Sequence, residues 1–161
     1  MTHFQNTPKL NILVLCTGNS CRSIMAEALI NHLGNDQFNA FSAGSKPSGR
    51  VHPTSLKTLK SQGIETHGYR SKSWDEFADQ KIDIVITVCG NAAAETCPLY
   101  IASNGHQPLK AHWGVEDPDG QDDAEFLRVF KILEKRINTL VNRDSSFPIT
   151  QQFLNEIGNI I

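Results

Sequence analysis

Cys16 and Arg22 stand in a Cys-x5-Arg spacing, and this pair has the clearest chemical potential in the chain. A cysteine thiolate is a nucleophile, and a guanidinium binds two oxygens of a tetrahedral oxyanion as a fork. The positive surroundings that hold such an anion also favour the thiolate form of Cys16. The spacing therefore predicts that Cys16 attacks phosphorus, or another atom that carries a tetrahedral set of oxygens.

The segments on either side of this pair predict how it is positioned. Residues 10–15 form an apolar run typical of a buried strand, and five apolar residues between 24 and 33 share one helical face. In a strand–loop–helix unit, the loop N–H groups and the helix N-terminus favour an anion at one point. The predicted oxyanion-binding residues are Thr17, Gly18, Asn19, Ser20, Cys21, Arg22 and Ser23.

Strand and helix patterns alternate along the rest of the chain. Further strands are predicted at residues 38–43, 82–88 and 107–112, and helices at 53–62, at 124–141 and from about 146–148 onward. Ser73 is predicted to cap a helical turn, with Glu76 completing a capping box. The alternation predicts one domain over residues 1–161, a three-layer α/β fold with a central four-stranded parallel sheet flanked by helices on both faces.

Two carboxylates, Glu116 and Asp117, follow the last predicted strand. Transfer of an oxyanion requires a proton for the leaving oxygen, and a loop carboxyl can deliver it. Pro118 holds the residue before it in an extended conformation, so Asp117 is the preferred candidate acid and Glu116 the competing one. The alternative is an ordinary turn leading into the long helix, with Asp122 or Asp123 as its cap.

Cys89 and Cys97 follow the second buried strand, with seven residues between them. They are either two small buried hydrophobic residues or a redox pair. On a regular helix they would be separated by about 12 Å of rise, whereas a disulfide requires Cα atoms within about 7 Å. Pairing would therefore require this segment to unwind.

The cysteine spacings do not match zinc knuckles and the histidines have no metal-ligand spacing, so no metal site is predicted. Cys21 is expected to pack beneath the loop.

The bulk properties exclude several classes of function. The chain has 161 residues and a formal net charge of −2, which argues against nucleic acid or an anionic membrane as a partner. No apolar run is long enough to span a bilayer and no signal segment is apparent, so a cytoplasmic protein is expected. In the reducing cytosol, four cysteines favour catalytic or redox roles over structural disulfides.

Residues 14–23 (VLCTGNSCRS) resemble the phosphate loop of low-molecular-weight protein tyrosine phosphatases and of arsenate reductases built on the same scaffold. Residues 89–98 (CGNAAAETCP) and 112–118 (HWGVEDP) are similar to the reductase branch, as are residues 42–45 and 70–77. The likeness extends from about residue 11 to about residue 141.

The resemblance implies a substrate and a first chemical step. Arsenate, with phosphate or sulfate as analogues, would bind in the loop and to Arg22. Cys16 would attack it, and Asp117 would protonate the departing oxygen. Asn19 and Ser23 would shape the loop and support the thiolate. Some relatives also bind a monovalent cation near the loop, through residues at the positions of Asn19, Glu27 and Ser42.

The resemblance also implies a thiol relay. Cys89 would attack the adduct on Cys16, releasing arsenite and leaving a Cys16–Cys89 disulfide. Cys97 would then move the disulfide to Cys89–Cys97, where an external reductant can reach it. No tightly bound cofactor is implied. In part of this branch the second and third cysteines are one residue closer, so two donors stay open: thioredoxin first, then glutathione with glutaredoxin.

Two other functions account for part of the pattern. A phosphatase acting on phosphotyrosine or small esters uses Cys16, Arg22 and Asp117 but leaves Cys89 and Cys97 without a role. Phosphatases of this scaffold place aromatic residues after the Asp-Pro pair, whereas residues 119–122 here are DGQD. Weak phosphatase side activity is nevertheless expected. A non-catalytic oxyanion-binding redox sensor would explain the thiols but has no use for an acid.

Overall fold

The structure, a computed structural model, describes residues 8–89 and 107–161. Its strands are β1 (Leu10–Cys16), β2 (Phe38–Gly44), β3 (Ile84–Thr87) and β4 (Leu109–His112). They form one four-stranded parallel sheet in the order β2-β1-β3-β4. The predicted parallel α/β class is confirmed. Because all four strands run in the same direction, their carboxyl ends meet at one edge of the sheet.

The central position of β1 explains its continuous apolar sequence. Ile12 and Val14 face a large hydrophobic core, while Leu13 and Leu15 face a smaller one on the other side of the sheet. A strand that is covered on both faces shows no polar alternation. In the register, Leu15 pairs with Ala43 of β2 and with Thr87 of β3, so Cys16 comes at the edge where the neighbouring strands end.

The helices are α1 (Arg22–Leu33), α2 (Pro53–Ser61), α3 (Asp123–Val141) and α4 (Gln151–Ile157). All four contribute residues to the larger core, which also includes the fully buried Trp113. The smaller core on the opposite face receives Phe77 from a 3-10 helix, Trp74–Phe77. Within the described residues, no helix is both long and apolar enough to cross a membrane.

Several local predictions need correction. The apolar stripe predicted for α1 is wrong, because residues 22–30 are all buried where α1 packs against α2, α3, β1 and β2. The last helix begins at Gln151, where Thr150 Oγ1 accepts a hydrogen bond from Phe153 N–H, and not at residues 146–148. Ser73 does cap the 3-10 helix, but Glu76 is held by Arg70.

Candidate active site

The loop between β1 and α1 has its carbonyl groups turned toward a neighbouring segment. Thr17, Gly18 and Ser20 each accept a backbone hydrogen bond from residues within 46–52, at 2.9–3.0 Å. The C=O and N–H groups of one trans peptide point in opposite directions. The amide groups of the residues that follow these three therefore point away from that segment. N–H groups that point to the same side of the loop can together bind an anion there.

The sulfur of Cys16 lies at the end of a chain of polar side chains. Its Sγ is 3.0 Å from Ser23 Oγ, which accepts a hydrogen bond of 2.8 Å from Asn19 Nδ2. Since Ser23 Oγ accepts from Asn19, its own hydrogen can be donated to Cys16. Asn19 adopts a φ of 49°, a left-handed conformation that is uncommon for a residue other than glycine. The arrangement suits a thiolate at position 16.

The same polar chain continues into the protein. Asn19 Nδ2 also donates to Ser42 Oγ at 2.9 Å, and Ser42 Oγ donates to Glu27 Oε1. The ammonium of Lys72 lies 3.9 Å from that carboxylate oxygen. Burial raises the pKa of Glu27 and lowers the pKa of Lys72. The three residues that the resemblance associates with a cation are thus joined to one another, and an ammonium group lies beside them.

Arg22 links the loop to two other segments. Its Nη1 donates to Val115 O at 3.1 Å and to Val88 O at 3.4 Å, and its Nη2 is 3.5 Å from Asp117 Oδ2. The side chain is only 4% exposed. Val88 immediately precedes Cys89, and Val115 is two residues before Asp117. One guanidinium therefore contacts the segments that carry the second cysteine and the candidate acid.

The two candidate acids differ in their surroundings. Asp117 is about half exposed at the mouth of the site, beside Arg22, and its Oδ1 accepts a hydrogen bond of 3.0 Å from Asp119 N–H. Glu116 has a side chain that is 84% exposed and lies 3.8 Å from Arg128 on α3. The geometry places Asp117 at the site and directs Glu116 away from it.

Cys89 follows β3 just as the loop of residues 17–21 follows β1, and these two strands are adjacent in the sheet. It is completely buried. The backbone of Cys89 packs closely against Gly114. A Cβ atom at position 114 would lie 2.7 Å from Cys89 O and 2.7 Å from His112 Nε2, so this close packing requires glycine. The expectation that Cys89 and Cys97 can pair only if the segment between them unwinds concerns residues 90–97, which lie outside the described residues.

Cys21 lies at the base of the loop, as expected. It is the residue before α1, and its Sγ is 3.6 Å from Ser20 Oγ. Burial raises the pKa of Cys21 to about 11. It therefore carries a protonated thiol at neutral pH and is a poor nucleophile.

Three residues near the site were given no role there by the sequence analysis. His52 contacts both the loop and the turn that carries Asp117. Arg136 of α3 is buried and donates to the carbonyl groups of Trp113 and Gly114, ahead of that turn. Lys72 lies beside Glu27. Their side chains converge only through tertiary packing, so spacing in the sequence could not reveal them.

These contacts define a class of protein: a parallel α/β fold with a cysteine–arginine site for a tetrahedral oxyanion beyond the carboxyl ends of its strands. The family model described as low molecular weight phosphotyrosine protein phosphatase matches residues 11–147. That match covers most of the chain, and the chain belongs to this family.

Similar proteins within this superfamily are arsenate reductases. Arsenate reductase 1 of Staphylococcus epidermidis is 38% identical over 135 residues, which cover 84% of this chain and 98% of that protein. The arsenate reductase of Halalkalibacterium halodurans is 40% identical over 134 residues, covering 80% of this chain and 92% of its own length.

Solved structures give the same picture. An arsenate reductase from Archaeoglobus fulgidus superposes with a TM-score of 0.70 at 29% identity, covering 82% of this chain and 99% of that one. An arsenate reductase in a phosphate-binding state superposes with a TM-score of 0.70 at 30% sequence identity, covering 82% of this chain and 96% of that one. A thioredoxin-dependent arsenate reductase of Corynebacterium glutamicum superposes with a TM-score of 0.63 at 26% sequence identity, covering 84% of this chain and 62% of that one.

Proposed function

We propose that this chain is an arsenate reductase that converts arsenate to arsenite through Cys16, Cys89 and Cys97. The observation that carries the proposal is the position of Arg22, whose guanidinium contacts the backbone before Cys89 and the carboxylate of Asp117. The backbone that leads to the second thiol and the candidate acid thus meet at one guanidinium, which stands at the end of the loop that begins with Cys16. The similarity to arsenate reductases over most of the chain supports the same substrate.

In the first step, arsenate occupies the loop, where the amide groups and Arg22 bind its oxygens. The Cys16 thiolate attacks arsenic and forms an S–As bond. One As–O bond breaks, and Asp117 supplies the proton with which that oxygen leaves as water. Arsenic stays in the +5 state, because this step exchanges one ligand for another. The hydrogen bond from Ser23 stabilises the thiolate before the attack.

The electron transfer comes in the second step. Cys89, as a thiolate, attacks the sulfur of Cys16, so an S–S bond forms and the S–As bond breaks. The electron pair of the broken bond stays on arsenic, which leaves as arsenite in the +3 state. Cys97 then attacks Cys89, forming the Cys89–Cys97 disulfide and releasing the Cys16 thiolate. The two electrons gained by arsenic are those of two oxidised thiols.

An external thiol reductant must reduce the Cys89–Cys97 disulfide before the next turnover. A structurally similar protein is described as a thioredoxin-dependent arsenate reductase, which supports thioredoxin as the first candidate. Glutathione with glutaredoxin is the second. No tightly bound cofactor is needed, since both electrons pass through sulfur. We assign the reaction to the cytoplasm, where such reductants are maintained.

Phosphatase activity is expected as a weak side reaction, because Cys16, Arg22 and Asp117 suffice for attack on a phosphate ester. The turn after Asp117 continues with Pro118, Asp119 and Gly120, which offer no aromatic surface for a substrate ring. The carboxylate of Asp119 is 63% exposed near the mouth of the site, where it disfavours a substrate that carries a further negative charge beside its phosphate group. A small inorganic anion fits these surroundings better.

The direct test mixes the chain with arsenate, thioredoxin, thioredoxin reductase and NADPH, and follows NADPH oxidation. We expect arsenate-dependent turnover that is abolished in Cys16→Ser and in Cys89→Ser. A parallel assay with an aryl phosphate separates the two activities, because Cys89→Ser should keep any phosphatase activity. Loss of both activities in Cys89→Ser would mean that Cys89 is structural.

Two further variants test the relay and the sensor alternative. In Cys97→Ser, a single turnover without reductant should leave a Cys16–Cys89 disulfide, detectable by peptide mass mapping, and its absence would remove Cys97 from the relay. Asp117→Asn should slow arsenate reduction by about 10²-fold or more. Undiminished function in that variant would favour a non-catalytic redox sensor.

A further inference from the structure

His52 lies between the phosphate loop and the turn that carries Asp117. Its backbone N–H donates to Ser20 O at 3.0 Å. On the other side, its ring Nε2 is 3.2 Å from Asp119 Oδ1. The residue thus connects the two parts of the site that must stay in register during attack and protonation.

Local contacts determine which ring nitrogen of His52 can donate. Nδ1 accepts a hydrogen bond of 3.1 Å from Thr54 N–H, where His52 caps the N-terminus of α2. A ring nitrogen that accepts has no hydrogen, so the ring hydrogen must be on Nε2. The ring of Phe126 packs against the imidazole with centroids 4.8 Å apart. The imidazole is therefore held with an N–H donor directed at Asp119.

Asp119 passes this restraint on to the candidate acid. Its backbone N–H donates to Asp117 Oδ1 at 3.0 Å, while Asp117 Oδ2 faces Arg22 at 3.5 Å. Gly120, with a φ of 84°, turns the chain directly after Asp119. The side chain of Asp119 is largely exposed, so burial does little to hold it in place. Its contact with His52 therefore limits the movement of the turn. Together with Arg22, the position of Asp119 sets the orientation of the Asp117 carboxyl group.

We propose that His52 is a positioning residue that, through Asp119, holds the carboxyl group of Asp117 over the oxyanion site. The inference rests on the proposed function, because it takes Asp117 as the proton donor in arsenate reduction. His52 touches neither substrate nor sulfur in this role. Its contribution is to keep the acid in the geometry from which proton transfer is fast.

The test is the variant His52→Asn, because asparagine also caps helices well and keeps the hydrogen bond to Thr54 N–H. The measured quantity is the single-turnover rate of arsenite formation. We expect this rate to fall about tenfold, since a displaced acid costs part of its 10²–10⁴-fold contribution. The affinity for phosphate, measured as a competitive inhibitor, should change less than about twofold, because the loop and Arg22 are intact.

Substitutions of Asp119 provide the matched controls. Asp119→Asn keeps an oxygen that accepts from Nε2 and should stay within about twofold of wild type, whereas Asp119→Ala should match His52→Asn. The double variant His52→Asn/Asp119→Ala should be no slower than either single variant, because both break the same link. Additive losses, or a His52→Asn rate within about twofold of wild type, would overturn the proposal.

Nitrogen NMR of the His52 ring gives a readout that does not depend on activity. The spectrum should show hydrogen on Nε2 and none on Nδ1, and Asp119→Ala should move the Nε2 signal alone. A chain that shows this signature but reduces no arsenate would contradict the proposed function and leave the His52–Asp119 contact established. A ring with its hydrogen on Nδ1 would contradict the positioning role, whatever the activity.

Discussion

Arg22 and Arg136 both bury a guanidinium against the backbone between β4 and α3, but they face different surroundings. Arg22 donates to Val115 O and, through Nη2, reaches the half-exposed carboxylate of Asp117 at the mouth of the site. Arg136 donates to Trp113 O at 2.7 Å and to Ile160 O at 2.9 Å. One arginine opens onto the site, and the other ties the same backbone to α3 and to the C-terminal end of the chain.

The difference shows how one residue type serves two purposes. Desolvation lowers the pKa of Arg136, and its guanidinium donates to the main-chain carbonyl groups of Trp113, Gly114 and Ile160, which are buried or partly buried. Such an arrangement stabilises backbone geometry but leaves no place for an anion. Arg22 has carbonyl partners on Nη1 and an acid beside Nη2, so its charge is available where an oxyanion would bind. Substitutions of the two arginines test this distinction, and a substitution of Cys21 tests the burial of the region around Arg22.

The largest effect is expected for Arg22→Lys. Lysine keeps the charge but cannot bind two oxygens as a planar fork, so kcat/KM for arsenate should fall about 10³-fold. The free energy of unfolding should fall by about 1–2 kcal/mol, since the hydrogen bonds to Val88 O and Val115 O are lost. Arsenate turnover and urea unfolding are measured side by side. Retention of more than a tenth of the activity would contradict the role given to Arg22.

Arg136→Met should give the opposite profile. Methionine is also a long, unbranched side chain, but it removes the donor to one buried carbonyl group, of Trp113, and to two partly buried ones, of Gly114 and Ile160, which should lower the free energy of unfolding by about 3 kcal/mol. At a temperature where the variant is folded, arsenate turnover should stay within about tenfold of wild type. Urea unfolding checks the first expectation. The neighbouring exposed Lys135→Met should change stability by less than about 0.5 kcal/mol, and an equal loss there would show that the effect is not specific to Arg136.

The smallest effect concerns Cys21, which is buried at the base of the region around Arg22. Burial raises the pKa of Cys21 from an ordinary 9.0 to about 11, so between these pH values the unfolded chain loses a proton that the folded chain keeps. The free energy of unfolding should therefore fall as the pH rises from 9 to 11, and this part of the fall should be absent in Cys21→Ser. Denaturation of both proteins across this range measures the difference.

Iodoacetamide at pH 8 should leave Cys21 unmodified until urea is added, and rapid modification of the folded chain would show that the thiol is not buried.

Apolar patterning was sufficient to predict most of the fold. The strands at β1 and β2 and the helices α2 and α3 are found within one or two residues of their predicted positions. Of the two candidate caps for α3, Asp122 and Asp123, the structure has Asp122. These elements follow from local rules, because burial of one face and capping of one end leave a periodic trace. The predictions for two helices were wrong. Residues 22–30 of α1 are all buried by the surrounding elements, so the helix has no single apolar face, and the last helix begins after the cap at Thr150 rather than near Pro148.

The candidate site divides in the same way. The sequence by itself determined the reactive types and their local spacing: Cys16 with Arg22 in one loop, and Asp117 before a proline. Only the tertiary structure decided that Arg22 contacts the backbone before Cys89, that Asp117 rather than Glu116 faces the site, and that His52, Lys72 and Arg136 converge on the same region. The physical reason is that spacing along the chain fixes positions only within one element. Positions between elements depend on the register of parallel strands and on the packing of helices, and in this chain both bring distant residues to one edge of the sheet.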